Sequence, residues 1–254
     1  MALPAKRRPQ GSIPRFHLPQ SLVTGMQVQL PDPVMRHVQV LRLIAGDSII
    51  LFNGQGGEFD ARLESVSRNS ASAVVGEHGQ RERESPLSIV LAQALSSGDR
   101  MDYTIQKAVE LGATAIQPLA ATRSVVQLNG ERAQRRVAHW QALVVASCEQ
   151  CGRNTVPTVH EVIALPAWLD AERDLPATRI LLSPRGARSL KSVDPGAERR
   201  IVLLAGPEGG FTDEEEESAR KTGFVDAMLG PRVLRTETAA VVAMATMQTL
   251  WGDF

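Results

Sequence analysis

A glycine-rich pentapeptide follows directly on a run of apolar residues in the last quarter of the chain. The apolar run covers residues 201 to 205, and Gly206-Pro207-Glu208-Gly209-Gly210 comes next. Glycine has no Cβ, so such a loop lets a ligand approach the backbone closely. Open α/β folds bind ligands at loops of this kind, where sheet strands end. A binding loop is therefore one interpretation, and a purely structural turn is the other.

The composition around the pentapeptide limits the class of ligand. The phosphate-binding patterns G-x-x-x-x-G-K-[ST] and strand-linked G-x-G-x-x-G are both absent from it. The segment that follows begins with Asp213 and four glutamates, which would repel a phosphate at the N-terminus of a helix. These residues disfavour a nucleoside triphosphate, whereas a cationic centre such as a sulfonium would not be repelled.

A second segment of the same design lies shortly after the first. It reads LGPRVLRTETAA over residues 229 to 240 and predicts a strand end, a Gly-Pro turn and the start of an apolar helix. Thr236 is the predicted N-cap, and Arg235 places a charge at the junction of loop and helix. Two such strand ends predict one shared pocket. A helix cap beside an incidental arginine is the alternative.

The two cysteines, Cys148 and Cys151, form a single C-x-x-C. A redox pair or half of a zinc site would fit this spacing, but there is no second cysteine pair and the five histidines are scattered. Cys148 continues an apolar stripe from Trp140 and Val144 at helical spacing. We therefore expect buried, reduced thiols and no metal.

The pattern of apolar residues divides the chain into two parts. Residues 1 to 75 predict a small β-barrel of short strands joined by turns, and residues 76 to 86 are polar and end at a proline, as a linker does. The predicted strands of this first part are Met26 to Leu30, His37 to Leu43, Ser48 to Phe52, Glu58 to Val66 and Ala71 to Val75.

From residue 87 onward, apolar strands alternate with helices, which is typical of a mostly parallel sheet covered on both faces. The predicted strands are Leu87 to Leu95, Ala115 to Leu119, Arg179 to Leu182, Ile201 to Ala205 and Val225 to Leu229. The predicted helices are Asp99 to Leu111, Glu131 to Cys151, Thr212 to Thr222 and Thr236 to Leu250. The fold class is therefore α/β, with a small β domain in front.

Charge is balanced over the whole chain, with 28 basic and 28 acidic side chains, but residues 1 to 42 hold six basic side chains against one acid. This local excess would attract phosphates, although a basic leader that only aids solubility fits it too. No apolar run is long enough to cross a membrane, and no apolar stretch follows the basic start as in a signal peptide. We therefore expect a cytoplasmic protein.

LLAGPEGGFTDEE and LGPRVLRTETAA together resemble the paired signature of the RsmE family. This family consists of SPOUT-class methyltransferases that form 3-methyluridine in the 16S rRNA of the small ribosomal subunit. Four further segments match in family order: VLRLIAGD (40 to 47), RMDYTIQKAVELGATAIQPL (100 to 119), ATRSVV (121 to 126) and CEQCGRNTVP (148 to 157).

The resemblance implies a PUA-like RNA-binding β-barrel at 1 to 75, a linker at 76 to 86, and a SPOUT methyltransferase domain at 87 to 254 with a C-terminal trefoil knot. It also implies a homodimer that acts on 16S rRNA with S-adenosylmethionine as cofactor. Three loops would hold this cofactor. The residues carried over to them are Leu182, Pro184, Leu204, Ala205, Gly206, Pro207, Glu208, Gly209, Gly210, Leu229, Gly230, Val233, Leu234, Thr238 and Ala239.

Methylation at N3 of uracil requires that N3 lose its proton, so the protein must supply a base or a positive charge that stabilises the anion. Arg235 and Arg153 are the candidates for charge stabilisation, and Glu110, Glu149 and Glu237 are candidate bases or orienting groups, although each acid has a structural alternative. The predicted RNA contacts are Arg15, Phe16, Arg36, Arg42, Arg100, Lys107 and Arg123. Phe16 would stack on a base, although a lone aromatic side chain in a strand more often packs in the core.

Three rival functions fit parts of the sequence. A related SPOUT enzyme could act on transfer RNA or on a ribose hydroxyl, and a non-catalytic RNA-binding or ribosome-assembly factor could keep the fold without cofactor binding. The intact GPEGG and RVLRTETAA segments argue against the assembly factor, and the VLRLIAGD segment argues against the other RNA substrates. A thiol redox protein would need an exposed thiol of low pKa.

Overall fold

The structure, a computed structural model, describes residues 13 to 185 and 188 to 254. Lys6, Arg7 and Arg8 of the predicted basic segment lie outside the described residues. The chain forms two compact units. The N-terminal unit consists of the described part of Met1–Arg83 together with Gly152–Thr155, and the C-terminal unit consists of Glu84–Cys151 and Val156–Phe254.

The described part of the N-terminal unit contains a five-stranded sheet and one helix. Its sheet has the order β1-β3-β4-β5-β2, in which β1 and β3 are parallel and the other neighbours are antiparallel. Apolar side chains from every strand and from the helix form its core. The elements are β1 (Arg15–His17), β2 (Gln27–Gln29), α1 (Asp32–Val40), β3 (Ser48–Phe52), β4 (Glu58–Val66) and β5 (Ala71–Gly79).

The structure of this unit differs from the sequence prediction at one predicted strand and at the end of β5. The strand predicted at His37 to Leu43 is wrong, because these residues lie in α1 and the turn after it. A proline in the first turn presets a helical φ, and Val34 and Val38, four residues apart, are both buried on one face of the helix. β5 continues to Gly79, so four residues of the predicted linker form strand instead.

The C-terminal unit is built on an eight-stranded sheet in which every pairing is parallel. Its main path has the order β11-β13-β10-β12-β6-β7-β8, and β9 also pairs with β7. The strands are β6 (Ser88–Ala94), β7 (Ala113–Ala120), β8 (Thr158–Val159), β9 (Ile163–Ala164), β10 (Thr178–Leu182), β11 (Arg188–Ser189), β12 (Arg200–Ala205) and β13 (Val225–Met228).

In the described part of this unit, four α-helices and one short 3₁₀ helix (Leu190–Ser192) lie between strands, and a fifth α-helix follows the last strand. The five predicted strands and four predicted helices of this unit are confirmed to within two residues at each end, which establishes the α/β class. The short α4 and three two-residue strands were not predicted. The helices are α2 (Gly98–Glu110), α3 (Gly130–Cys151), α4 (Leu165–Glu172), α5 (Asp213–Lys221) and α6 (Thr236–Trp251).

Three adjacent strands position the glycine-rich segments. In the sheet, β13 lies beside β10 and β10 lies beside β12, all parallel. Their carboxyl ends therefore lie at one edge of the sheet, and the loops that begin at residues 183, 206 and 229 leave from that edge. No helix in the described part of the chain is long and apolar enough to cross a membrane.

Candidate functional site

The loops after β10, β12 and β13 enclose a cavity of about 410 Å³, within the size range of small-molecule sites. A smaller cavity of about 70 Å³ shares five of its residues. The larger one is lined by Arg100, Leu182, Pro184, Ala205, Gly206, Pro207, Glu208, Gly209, Gly210, Val233, Leu234, Arg235, Thr236 and Ala239. Leu229 and Gly230 line the smaller cavity, as do Ser183, Ala227 and Arg232.

The GPEGG loop is fixed by its own turn and by two neighbouring side chains. The Gly210 N–H donates to the Pro207 carbonyl at 2.9 Å, and Gly210 adopts a φ of +68°, which favours glycine. The Gly206 carbonyl accepts from the Thr236 hydroxyl and, at 3.2 Å, from the Gln93 amide. The backbone that faces the cavity is thereby held from both β6 and α6.

The N-terminus of α5, directly after this loop, is occupied by the protein's own groups. Thr212 and Glu215 form a reciprocal capping box, with the Thr212 N–H donating to Glu215 Oε2 at 2.9 Å. The other Glu215 oxygen accepts from the Thr122 N–H at 2.8 Å. A carboxylate therefore stands where a helix would bind a phosphate, which agrees with the sequence-based argument against a nucleoside triphosphate.

Arg100 joins two carboxylates at one wall of the cavity. Its Nη1 donates to Glu208 Oε1 at 3.1 Å, and its Nε lies 3.8 Å from Glu237 Oε1. Glu208 Oε1 also accepts from the Ser97 N–H at 2.9 Å. Burial raises the pKa of Glu208, but the hydrogen bonds from backbone N–H groups and the Arg100 charge lower this pKa by more, so it lies below its ordinary value.

Arg235 lines the same cavity from the start of α6. It is the N-cap residue by position and is exposed. Its side chain makes no hydrogen bond or ion pair with any residue of the described chain. The N-cap role predicted for Thr236 is wrong, because Thr236 lies in the first turn of α6 and its hydroxyl binds the Gly206 carbonyl.

Comparisons with known proteins agree with this arrangement. The family description "RNA methyltransferase domain" matches residues 83 to 248, and "RNA methyltransferase PUA domain" matches residues 30 to 76. The ribosomal RNA small subunit methyltransferase E of Bacillus subtilis is 35% identical over 87% of this chain and 91% of its own. This chain belongs to the ribosomal RNA small subunit methyltransferase E family. The resemblance inferred from the sequence is thus confirmed.

Two solved structures are similar to this chain over nearly its whole length. The methyltransferase E of Neisseria gonorrhoeae, solved with S-adenosylmethionine bound, is 45% identical, covers 95% of this chain and 99% of its own, and has a TM-score of 0.88. A methyltransferase of Legionella pneumophila, also solved with S-adenosylmethionine, is 35% identical, covers 96% and 100%, and has a TM-score of 0.90.

Most residues predicted to hold the cofactor of this methyltransferase family lie together around the two cavities. The exceptions are Leu204, which is fully buried in β12, and Thr238, which lies in the first turns of α6 and is not among the lining residues. Sequence reasoning did not find Gln93, whose amide donates to the carbonyls of Ala205 and Gly206 and to the Thr236 hydroxyl. Nothing local distinguishes this glutamine from its strand neighbours.

Three of the five predicted catalytic residues do not lie at the cavities. Glu110 pairs with Lys107 at 2.7 Å near the C-terminal end of α2, and Glu149 lies on α3. Arg153 is buried in the N-terminal unit. Only Arg235 and Glu237, of the predicted set, are brought beside the GPEGG loop, with Glu237 reaching it through Arg100.

Of two predicted RNA contacts in β1, Phe16 is buried in the core of the N-terminal unit and Arg15 has a side chain that is only 9% exposed. Phe16 has no exposed surface, so the prediction that it stacks on a base is wrong. Its ring packs edge-on against His37 at 5.3 Å between centroids. Arg15 forms an ion pair with buried Glu58 and donates to Asn154 Oδ1. Its guanidinium therefore already has partners inside the unit.

The other predicted RNA contacts differ in their environment. Arg36 and Arg42 are exposed on α1 and the turn after it. Arg123 is exposed and donates to the carbonyls of Gly209 and Phe211 at 3.3 and 3.2 Å, so it supports the GPEGG loop. RNA contact by these residues stays a prediction.

The cysteines give no support to redox chemistry. Cys148 is fully buried, Cys151 is partly buried, and neither is in a disulfide. Within the described part of the chain, no three His, Cys, Asp or Glu side chains are grouped closely enough to hold a metal ion.

Proposed function

We propose that this chain transfers the methyl group of S-adenosylmethionine to N3 of a specific uridine in 16S rRNA, giving 3-methyluridine in the small ribosomal subunit. The observation that carries the proposal is the convergence of three strand-end loops on one cavity, in a chain 45% identical to a methyltransferase E solved with this cofactor.

The groups around the cavities fit this cofactor. Leu182, Val233, Leu234 and Ala239 offer apolar surface on which an adenine ring can pack. Glu208 brings a carboxylate whose pKa is lowered, so it is negative at neutral pH and suits a ligand with an ammonium and a sulfonium centre. The closed N-terminus of α5 gives no phosphate site, and this cofactor carries no phosphate.

When bound, the cofactor supplies an electrophilic methyl group on sulfur. The N3–methyl bond forms as the sulfur–methyl bond breaks with its electron pair left on sulfur, and the N3 proton passes to solvent or to a base. The protein must orient the uracil and stabilise the negative charge that N3 deprotonation spreads onto the carbonyl oxygens. Arg235, exposed at the cavity without a partner in the described chain, supplies positive charge for this purpose.

The family's finer features belong to the same proposal. The chain would act as a homodimer with a C-terminal trefoil knot and work in the cytoplasm, where its substrate is found. The PUA-like part, proposed to end with β5 at Gly79 and to be followed by a linker at 80 to 86, would bind the RNA. The methyltransferase part would span residues 87 to 254. Added salt should weaken RNA binding steeply if arginines neutralise phosphates.

The first test is transfer of radiolabelled methyl to small subunits that lack the modification, followed by nucleoside analysis. We expect label in 3-methyluridine and a fall of about a hundredfold or more in the rate for Arg235→Ala, as for loss of one charge-stabilising group. Arg173→Ala is the matched control, because Arg173 is an exposed arginine of the same unit that pairs with Asp170.

Other outcomes would replace the proposal with a stated alternative. Label in transfer RNA or in a ribose methyl group would identify a different substrate. A protein that binds S-adenosylmethionine in calorimetry but labels no RNA fraction would require a new substrate search. A protein that binds no cofactor would be a non-catalytic RNA-binding member of the family.

A further inference from the structure

We propose that Arg100 is a catalytic residue that donates a hydrogen bond to a carbonyl oxygen of the target uracil, and that Glu208 and Glu237 position it. The inference rests on the proposed function and names the group that stabilises the uracil anion. Arg100 lies in the first turn of α2, which follows β6, the neighbour of β12 in the sheet. Its guanidinium lines the cavity with 37% of its side chain exposed.

The Arg100 guanidinium is held in place by its neighbours and still has N–H donors that bind no protein group in the described chain. A guanidinium has five N–H donors, and within the described chain the Arg100 side chain makes one hydrogen bond, to Glu208. The second carboxylate, Glu237, approaches Nε at 3.8 Å from the other glycine-rich segment. A carboxylate from the GPEGG loop and one from the first turn of α6 therefore fix the orientation of Arg100, while its remaining donors are available at the cavity.

The acceptors around Arg100 are also incomplete. Glu208 Oε2, in a residue that lines the cavity, and Glu237 Oε2, in the carboxylate beside Arg100, are buried and have no hydrogen-bond partner in the described part of the chain. A buried charged oxygen without a donor is costly, so these atoms indicate a place where a ligand with N–H groups completes the site. The donors of Arg100 suit the carbonyl oxygens of uracil, and the acceptors suit the ammonium group of the cofactor.

The geometry of the reaction favours the arginine over the acids as the group that acts on the base. The methyl group must approach N3 in the plane of the ring, along the direction of the N3–H bond. A carboxylate bound to N3–H would occupy that path, whereas a guanidinium bound to O2 or O4 leaves it open. The anion's charge lies largely on those oxygens, so a donor placed there stabilises the transition state.

Arg100 is also better prepared for this task than Arg235. A donor already fixed by its neighbours needs no reorganisation when charge develops. Arg235 is exposed and has no partner in the described chain, so it must be ordered by the substrate. The two arginines can act together, but the fixed one should carry the larger share of the stabilisation.

The test compares Arg100→Gln with wild type in single-turnover methyl transfer from pH 6 to pH 10, with Arg173→Gln as control. We expect a loss of about a hundredfold to a thousandfold at neutral pH. The loss should shrink as pH rises, because hydroxide then removes the N3 proton without help from the arginine. Target RNA containing 5-fluorouridine, whose N3 is more acidic, should rescue the variant in the same way.

Two further measurements distinguish a catalytic role of Arg100 from a role in packing the GPEGG loop. Calorimetry with S-adenosylmethionine should show a change in Kd for Arg100→Gln that is much smaller than its loss of rate. Glu237→Gln should lower kcat by about tenfold through a less fixed arginine, with the wild-type pH profile retained. Arg100→Lys should recover only part of the activity, because lysine is a point charge without the planar fork of donors.

The outcomes that overturn the inference are distinct from failure of the proposed function. A loss for Arg100→Gln that is equal at every pH and with 5-fluorouridine, or one that matches a loss of cofactor affinity, would reduce Arg100 to a structural link. Unchanged activity would exclude any role. A wild-type protein that methylates no uracil N3 would refute the proposed function itself, and the role of Arg100 with it.

Discussion

Replacing Glu58 by glutamine tests whether Arg15 stabilises the N-terminal unit or is available to RNA. Glu58 is 6% exposed, and it accepts from Arg15, whose side chain is 9% exposed. Arg81 and Arg83 approach the same carboxylate at 3.3 and 3.9 Å, but their side chains are 64% and 43% exposed. The variant therefore leaves one buried guanidinium without its counter-ion and two others free to be solvated by water.

The expected loss of folding free energy follows from the difference in exposure between Arg15 and the other two arginines. Removing one partner of a buried ion pair costs about 3–5 kcal/mol. Arg15→Met should cost less, about 1.5–3 kcal/mol, because Glu58 keeps Arg81 as a hydrogen-bond donor at 3.3 Å. Since the Asn154 side chain also accepts from Arg15, both variants should loosen the segment Gly152–Thr155 as well.

Hydrogen exchange read by mass spectrometry measures the effect locally. The three tryptophans and the tyrosine of this chain all lie outside the N-terminal unit, so intrinsic fluorescence would not report on it. Peptides covering β3, β4 and β5 should lose protection by about a hundredfold in Glu58→Gln, which corresponds to about 3 kcal/mol. Peptides from β6 and β12 serve as the internal control.

The salt dependence of RNA binding gives a second test of whether Arg15 is available to RNA. If the Arg15 guanidinium is held inside the unit, Arg15→Met should leave the salt dependence of RNA binding unchanged. Arg36→Met, which removes an exposed charge, should reduce the slope of log affinity against log salt by about 0.9. The reasoning fails if Glu58→Gln exchanges like wild type, or if Arg15→Met lowers the slope as much as Arg36→Met.

Two further predictions concern the cavity. Glu216→Gln should weaken S-adenosylmethionine binding by about tenfold in calorimetry, because the buried Glu216 carboxylate lies 3.4 Å from the hydroxyl of Ser183, a cavity residue, and pairs with two arginines. The exposed neighbour Glu217 is the control, and equal affinities for Glu216→Gln and Glu217→Gln would contradict the prediction. The pKa of Glu208 is lower in the folded protein than its ordinary value of 4.5, so its contribution to stability is present above that value and lost as pH falls through the folded pKa. Urea unfolding of wild type and Glu208→Gln should therefore converge in acid, and a difference that is independent of pH would refute this.

The positions of the three loops were predictable because the signal for them is local. An apolar run that ends in glycine or Gly-Pro marks a strand end, and parallel strands bring their carboxyl ends to one edge of the sheet. The segment from His37 to Leu43 shows the limit of such reasoning. Its valines favour a strand. Pro33 and the spacing of Val34 and Val38 favour a helix, and the helix forms because it buries both valines.

The partners within the site could not be predicted, because they are distant in sequence. Arg100 and Glu208 are 108 residues apart, and Gln93 and Thr236 are 143 apart. The pattern of residues around Arg100 predicts only a helix with a positive charge. Which carboxylate that charge meets depends on the order of strands in the sheet, and this order follows from the packing of the whole unit.

The same distinction applies to the predicted RNA surface. Charge and position in the matching segments selected six basic residues, but the structure gives four of them internal partners. Arg15 pairs with Glu58, Lys107 with Glu110, and Arg100 and Arg123 bind groups of the GPEGG loop or its neighbours. A side chain already held by partners within the protein neutralises fewer phosphates, so fewer of the counter-ions condensed on the RNA are released when it binds. The salt dependence of RNA binding should therefore come mainly from arginines that are exposed without such partners in the described chain, and in the N-terminal unit Arg36 and Arg42 are the two of the predicted set that meet this condition.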